Sequence, residues 1–346
     1  MRAIWLTNWF DNPYKQRLVA ELANVGVEVD MQHYQLWFLF QVLRSGRPKI
    51  LHFHVLTPYL IARNRVNRSL KALLLILQVL LLRWLGVKTV WTVHEWQDKE
   101  SNDRYQLSLR LAAIALLPFH GVIVHCESTK QALISTVGAS LTRKIQVIPH
   151  GHYIGCYPNT LTPAVARDKL GIPQSQFCFL LFGWIYRYKG VLQAIDAFEQ
   201  LNDPQTTLII AGGLNDPELG RTIEQKIEHN HRVLFLPERV PDDQIQLYLN
   251  ACDCVLLPYQ VFTTSGVALL AMSFGKPCIA PATGFFTDVF DETRAFLYDQ
   301  DRLQPAMQAA IEARSQIAAM GDRNLAVAQQ WSWDYVAAET LKVYSA

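Results

Sequence analysis

Short apolar runs alternate with longer helical patterns along almost the whole chain, and this alternation constrains the fold more than anything else in it. Strands separated by helical crossovers build parallel sheets from βαβ units. A first series of strands is expected at residues 3–7, 27–29, 50–54, 89–93, 121–125 and 145–148. Asn12 and Pro13 make a helix start, a cap followed by the first helical residue, and Gly26 makes a stop. Ser128 and Gln131 read as a capping box, so a helix should follow His125 promptly. From about Thr160 to Pro173 the pattern loosens into proline, threonine and small residues. A second series then runs at 177–182, 207–211, 233–236, 254–257 and 278–280. The expectation is an α/β chain of two doubly wound parallel-sheet domains, 1–158 and 170–330, with the linker near residues 155–172.

The 346 residues are long for one domain and natural for two. Half are apolar and 18% charged, enough to bury a large core. A net charge of only +2 argues against nucleic acid as a partner. Six cysteines are scattered without a CxxC pair, which suits buried free thiols in a reducing compartment rather than a metal site. The first residues turn polar after a few apolar ones and read as a strand rather than a signal peptide, so the expected location is cytoplasmic.

Two stretches carry the chemistry. In Phe179-Leu-Leu-Phe-Gly-Trp-Ile-Tyr-Arg-Tyr-Lys-Gly190 an apolar strand breaks at Gly183 and offers Arg187 and Lys189. In the second, the strand ending at Leu257 delivers Thr264, Ser265 and Gly266 to a helix start, where free backbone N–H groups and the helix dipole favour an anion. Two cations on one wall and helix-start amides on the other describe a diphosphate cradle. A departing diphosphate gains negative charge as the bond to it breaks, and fixed donors at that point lower the barrier. Read alone, most Arg-x-Lys pairs are solvated basic turns; the glycines at 183 and 190 on either side favour the cradle.

These stretches resemble the donor half of the GT-B glycosyltransferases, in particular glycosyltransferase family 4 (group 1). Trp91-Thr-Val-His-Glu95, Val122-Ile-Val-His-Cys-Glu-Ser128, Ile145-Gln-Val-Ile-Pro-His-Gly151, Leu208-Ile-Ile-Ala-Gly-Gly213 and Val233-Leu-Phe-Leu-Pro-Glu-Arg-Val240 supply further landmarks in the family's order. The resemblance implies two Rossmann-like domains facing a cleft, with a C-terminal helix at about 331–346 returning to the first. It implies sugar transfer from a nucleotide-diphosphate donor to a hydroxyl of a glycan or lipid-linked saccharide, with retention and without metal or cofactor. His94 would contact the donor sugar, and Arg187 and Lys189 the diphosphate. Glu238, Arg239, Val240 and Tyr259 would hold the nucleotide. Inversion would instead call on a carboxylate base such as Glu95. An epimerase of this architecture, or a nucleotide-sugar-binding subunit without turnover, remains an alternative. The family's paired glutamates are missing from Phe262-Thr-Thr-Ser-Gly-Val-Ala-Leu-Leu-Ala271, which marks a divergent branch.

On the acceptor side, Asn8, Trp9, Asn12 and Tyr14 follow the first strand with amides and aromatic faces suited to sugars. His52 and His54 share one side of their strand and read as cleft-lining side chains rather than metal ligands. The segment Arg63–Leu85 is the most unusual. Arg63, Arg65, Arg68 and Lys71 precede a helix that is apolar on nearly every face between Ala72 and Leu82, yet shorter than a membrane span. It is either a core helix with a basic lead-in or a surface helix at the inner face of a membrane.

Overall fold

The computed structural model describes residues 1–8, 10–62, 64–95, 114–299 and 302–346. The chain divides into two units, Met1–Gly151 with Trp331–Ala346, and His152–Gln330. Each is built on six parallel strands.

In unit 1 the strands are β1 (Arg2–Thr7), β2 (Glu28–His33), β3 (Ile50–Phe53), β4 (Lys88–Thr92), β5 (Gly121–Val124) and β6 (Ile145–Val147), in the order β2-β1-β3-β4-β5-β6. The winding reverses between β1 and β3. Such a reversal leaves a crevice at the carboxyl ends of the two strands, where open α/β sheets bind ligands. Asn12 caps the helix Pro13–Asn24 as expected, accepting from Tyr14 N–H at 2.9 Å. The capping box does not form where it was read. The helix Glu127–Val137 begins just before Ser128, with Cys126 at the cap position, so Ser128 sits inside its first turn.

Unit 2 has β7 (Phe177–Phe182), β8 (Thr206–Ala211), β9 (Val233–Leu236), β10 (Cys254–Leu256), β11 (Cys278–Pro281) and β12 (Ala295–Tyr298), in the order β12-β11-β10-β7-β8-β9. Here the reversal falls between β7 and β10. Every residue of β7 and β8 is buried, as in strands covered on both faces. Residues 163–170, read above as loose chain, form a helix capped by Thr162 and ended by Gly171 in the left-handed region. Arg167 on that helix is buried and bridges Asp253 at 2.7 Å while donating to three backbone carbonyls.

The last helix, Trp333–Ser345, belongs to unit 1. Trp333, Val336 and Tyr344 share a core with Trp5, Tyr14 and Leu18. Trp5 Nε1 donates to the Tyr344 hydroxyl at 3.0 Å. The Trp333 indole lies so close to Gly151 that a Cβ there would approach it to 2.6 Å.

The helix Arg65–Trp84 buries Ala72, Leu75, Val79 and Leu82 in the unit 1 core, but its apolar character continues onto a face open to solvent. Among the described residues no helix is long and apolar enough to cross a membrane. None of the six cysteines is in a disulfide, and five are buried.

Candidate functional site

At the β7/β10 reversal the chain leaves β7 through Gly183, whose φ of +85° a side chain would strain. A Cβ on Gly183 would lie 3.5 Å from Lys189 Nζ and 3.5 Å from Val267, so the glycine sits between the ammonium and the first turn of the helix Gly266–Ser273. Lys189 is buried, and its Nζ stands 5.6 Å from the centre of the Tyr259 ring. The turn that carries it is locked from behind. Gly190, at φ +71°, has Pro258 O where a Cβ would go, and Gln260 N donates to Tyr188 O at 2.8 Å. Ser265 caps the helix by accepting from Ala268 N–H at 3.1 Å, and the first amides of a helix have no partner within it.

Arg187, two residues before Lys189, is engaged by carboxylates. Its guanidinium is half exposed and bound to Asp216 at 2.9 Å and Glu218 at 3.5 Å, at the start of the helix Pro217–Ile227. Asp216 caps that helix, and those backbone bonds with the Arg187 contact hold its carboxyl below the usual range. Glu238, Arg239 and Val240 lie on the loop leaving β9, at the edge of the sheet and two strands out from β7. A hollow of about 910 Å³ shares Tyr259 with the corner but not Lys189. Its lining has Asp196 and Asp299 and no lysine or arginine among the described residues, which does not suit a diphosphate.

Unit 1 has its own pocket, about 340 Å³, at the β1/β3 reversal. Asn8, Asn12, Tyr14, Lys15, His54 and His94 line it, together with Glu95 and His150. A file of imidazoles from the carboxyl ends of four neighbouring strands runs through that wall. His52 stacks on His54 with centres 4.4 Å apart, His54 Nδ1 is 3.1 Å from His94 Nε2, and His125 follows 5.2 Å beyond His94 and His150 5.4 Å beyond His125. Tyr14 stands at the centre, its ring 5.0 Å from His94, 5.7 Å from His125 and 4.5 Å from His150. Burial holds His52 down at about 3, His150 at about 3 and His125 at about 4. His54 and His94 are pushed well below the ordinary imidazole value by burial and then by their neighbours in the file. The rings are therefore neutral at physiological pH, and act through hydrogen bonds rather than charge. Burial also brings the Lys15 ammonium down to about 8. The buried Nε2 of His54 and of His125 has no hydrogen-bond partner among the described residues.

His52 does not line the pocket. It is fully buried, with Nε2 2.8 Å from Thr92 Oγ1 and Nδ1 2.5 Å from the Tyr344 hydroxyl, a core histidine that ties the sheet to the last helix. Trp9 and Arg63 lie outside the described residues. Among the described residues no group of three or more His, Cys, Asp or Glu side chains is placed to share a metal ion. Lys15, His125 and His150 were not singled out from sequence. The available signal was that His54, His94, His125 and His150 each stand just past the end of successive parallel strands, the position that faces a ligand crevice.

Two Rossmann-like units, with the closing helix packed on the first, define the GT-B fold. Residues 164–320 match the family Glycosyl transferases group 1, and the chain is related to it. A GDP-mannose:glycolipid 4-beta-D-mannosyltransferase of Xanthomonas campestris pv. campestris is 29% identical over 155 residues, 44% of this chain and 42% of that protein. A D-inositol 3-phosphate glycosyltransferase of Xylanimonas cellulosilytica is 29% identical over 239 residues, 65% of this chain and 56% of that protein. The chain thus spans about half the length of these curated relatives. Anabaena HepE, solved in complex with UDP and glucose, superposes with a TM-score of 0.74 at 19% identity, covering 99% of both chains. The sucrose-phosphate synthase of Thermosynechococcus elongatus gives 0.79 at 18% identity, covering 100% of this chain and 98% of that one.

Proposed function

We propose that the protein is a glycosyltransferase that moves a sugar from a nucleoside-diphosphate sugar to a hydroxyl of a glycan or lipid-linked saccharide, with retention. The observation that carries this is the burial of the Lys189 ammonium beside Gly183 and the first turn of the helix Gly266–Ser273. A buried cation and helix-start amides at a strand-order reversal suit a diphosphate better than any neutral ligand. The bond from the sugar's anomeric carbon to the diphosphate oxygen breaks with its electron pair passing to that oxygen, where Lys189, the Gly266 turn and Thr264 offset the new charge. The acceptor hydroxyl forms the new bond, and its proton passes to the departing phosphate. Tyr259 and the loop Glu238–Val240 would hold the nucleoside, and the amides, phenol and imidazole of Asn8, Asn12, Tyr14 and His94 in the unit 1 pocket suit the hydroxyls of a sugar. The relatives' names fit this class: one uses GDP-mannose and a glycolipid, and HepE was also solved with UDP-glucose.

A second reading, inversion, rests on the position of Glu95 beside His94 on the pocket wall. Its carboxylate would take the acceptor proton directly. Thermal-shift screening with a panel of nucleoside diphosphates and nucleotide sugars tests donor binding, since a ligand of the folded state raises the melting temperature. No shift with any of them sinks the donor assignment. The product's anomeric configuration by NMR then separates retention from inversion, and Glu95→Gln abolishes transfer only in the inverting case.

A further inference from the structure

The helix Arg65–Trp84 turns Val66, Leu70, Leu73, Leu77, Leu80 and Trp84 to solvent, each at least 47% exposed. Spacings of three and four residues keep them in one stripe, opposite the stripe that enters the core. Beside it the helix Phe38–Arg44 and the residue before it expose Phe40 and Trp37. The two helices are fixed together by buried Gln78, which accepts from Leu39 N–H and donates to Leu36 O, both at 3.0 Å. Leu36 and Leu70 line a common groove whose polar members are Asn67 and Lys71. Contiguous apolar surface of this extent marks a binding face rather than ordinary exposure.

Charge identifies the occupant. From Met31 to His94 the chain carries nine lysines and arginines and not one aspartate or glutamate, in a protein whose net charge is only +2. Arg44, Arg65 and Arg83 on these helices are exposed. Pairing of this face with a second copy of itself would set cations against cations with no carboxylate on either helix to offset them. A bilayer with anionic headgroups satisfies both properties at once: the stripe enters the acyl boundary and the cations stay among the headgroups. Trp84 and Trp37 suit the interfacial depth.

We propose that this face of unit 1 is a monotopic docking surface for anionic lipid bilayer, with the helix Arg65–Trp84 lying in the membrane plane. The full chain is floated with vesicles of phosphatidylcholine alone and of phosphatidylcholine mixed with phosphatidylglycerol. Binding is expected to the mixed vesicles, with weaker binding to the neutral ones and release as salt rises. Arg65→Ala with Arg83→Ala lowers affinity roughly 25-fold, about fivefold for each cation. Leu73→Glu with Leu77→Glu abolishes binding at an unchanged melting temperature, since both side chains lie outside the core. Three results each overturn the proposal: no flotation with mixed vesicles at low salt, binding that survives the double glutamate variant, or a dimer that this variant dissociates in a protein that binds no vesicle. Flotation needs no sugar transfer, so this inference and the enzymatic one fail separately.

Discussion

Lys189 and Arg187 stand two residues apart in one turn and meet different surroundings. The lysine is buried at the corner of Gly183 and the helix Gly266–Ser273, while the arginine faces solvent with two carboxylates around it. Lys189→Ala is therefore expected to lower kcat by about 10²- to 10³-fold, the scale of one fixed donor at a developing anion. Arg187→Ala is expected to cost less than about tenfold, because the charge it removes is already screened and engaged. Steady-state kinetics of the two variants checks the order, and equal losses would return Arg187 to the cradle. Gly190→Ala makes a separate case. Its left-handed backbone and the carbonyl of Pro258 leave no room for a methyl group, and a loss of about 1–3 kcal/mol in chemical denaturation is expected from the strain. The glycines and the lysine were legible from a local pattern. The Asp216–Arg187 pair was not, because it joins residues 29 apart through the β7 and β8 turns.

The helix Trp333–Ser345 lies far along the chain from the sheet it completes. Its amphipathic pattern and flanking aromatics were readable, but its partners were not: the Tyr344 hydroxyl takes the Trp5 indole N–H and meets His52 Nδ1 inside the core. Tyr344→Phe would leave the buried Trp5 donor and His52 without that partner. The expected loss is about 1–3 kcal/mol, the desolvation cost of unpaired buried polar groups, seen as a lower midpoint in urea. A midpoint equal to that of the unaltered chain would show that the hydroxyl contributes nothing. Eleven strands could be read because an apolar run between turn residues is a local property. β12 was missed because Ala295-Phe-Leu-Tyr298 is an edge strand, half-buried at its two central residues, and lacks the continuous apolar run of its neighbours. The helix Arg65–Trp84 shows the limit of periodicity from the other side. With apolar residues nearly all round, the sequence named no inward face, and only packing against β4 and its neighbours chose one.

At the scale of the whole molecule, the imidazole file makes unit 1 the acid-sensitive half. His52, His54, His94, His125 and His150 all titrate below the ordinary imidazole value when folded. Once unfolded, each takes up its proton near pH 6.5. Below that pH the unfolded chain binds more protons than the folded one, so stability is present in full above about pH 7. It falls as pH drops through 6.5, and continues to fall towards the folded values of about 3 to 4 given for His52, His125 and His150. Each group contributes a slope of about 1.4 kcal/mol per pH unit in that window, so even three of the five rival the whole stability of a typical domain within about two units. Carboxylates held low, such as Asp216 and Asp291, act only at more acid pH and do not confuse the range from pH 6.5 to 5. Unit 2 has no comparable file among its described residues. Hydrogen exchange read peptide by peptide at pH 7 and pH 5, corrected for intrinsic rates, is expected to show β1, β3, β4 and β5 losing protection while β7 and β8 keep theirs. Equal protection of the two sheets at pH 5 would mean that the histidines are charged or solvated in the folded protein, and the neutral hydrogen-bonding role assigned to His94 would go with them.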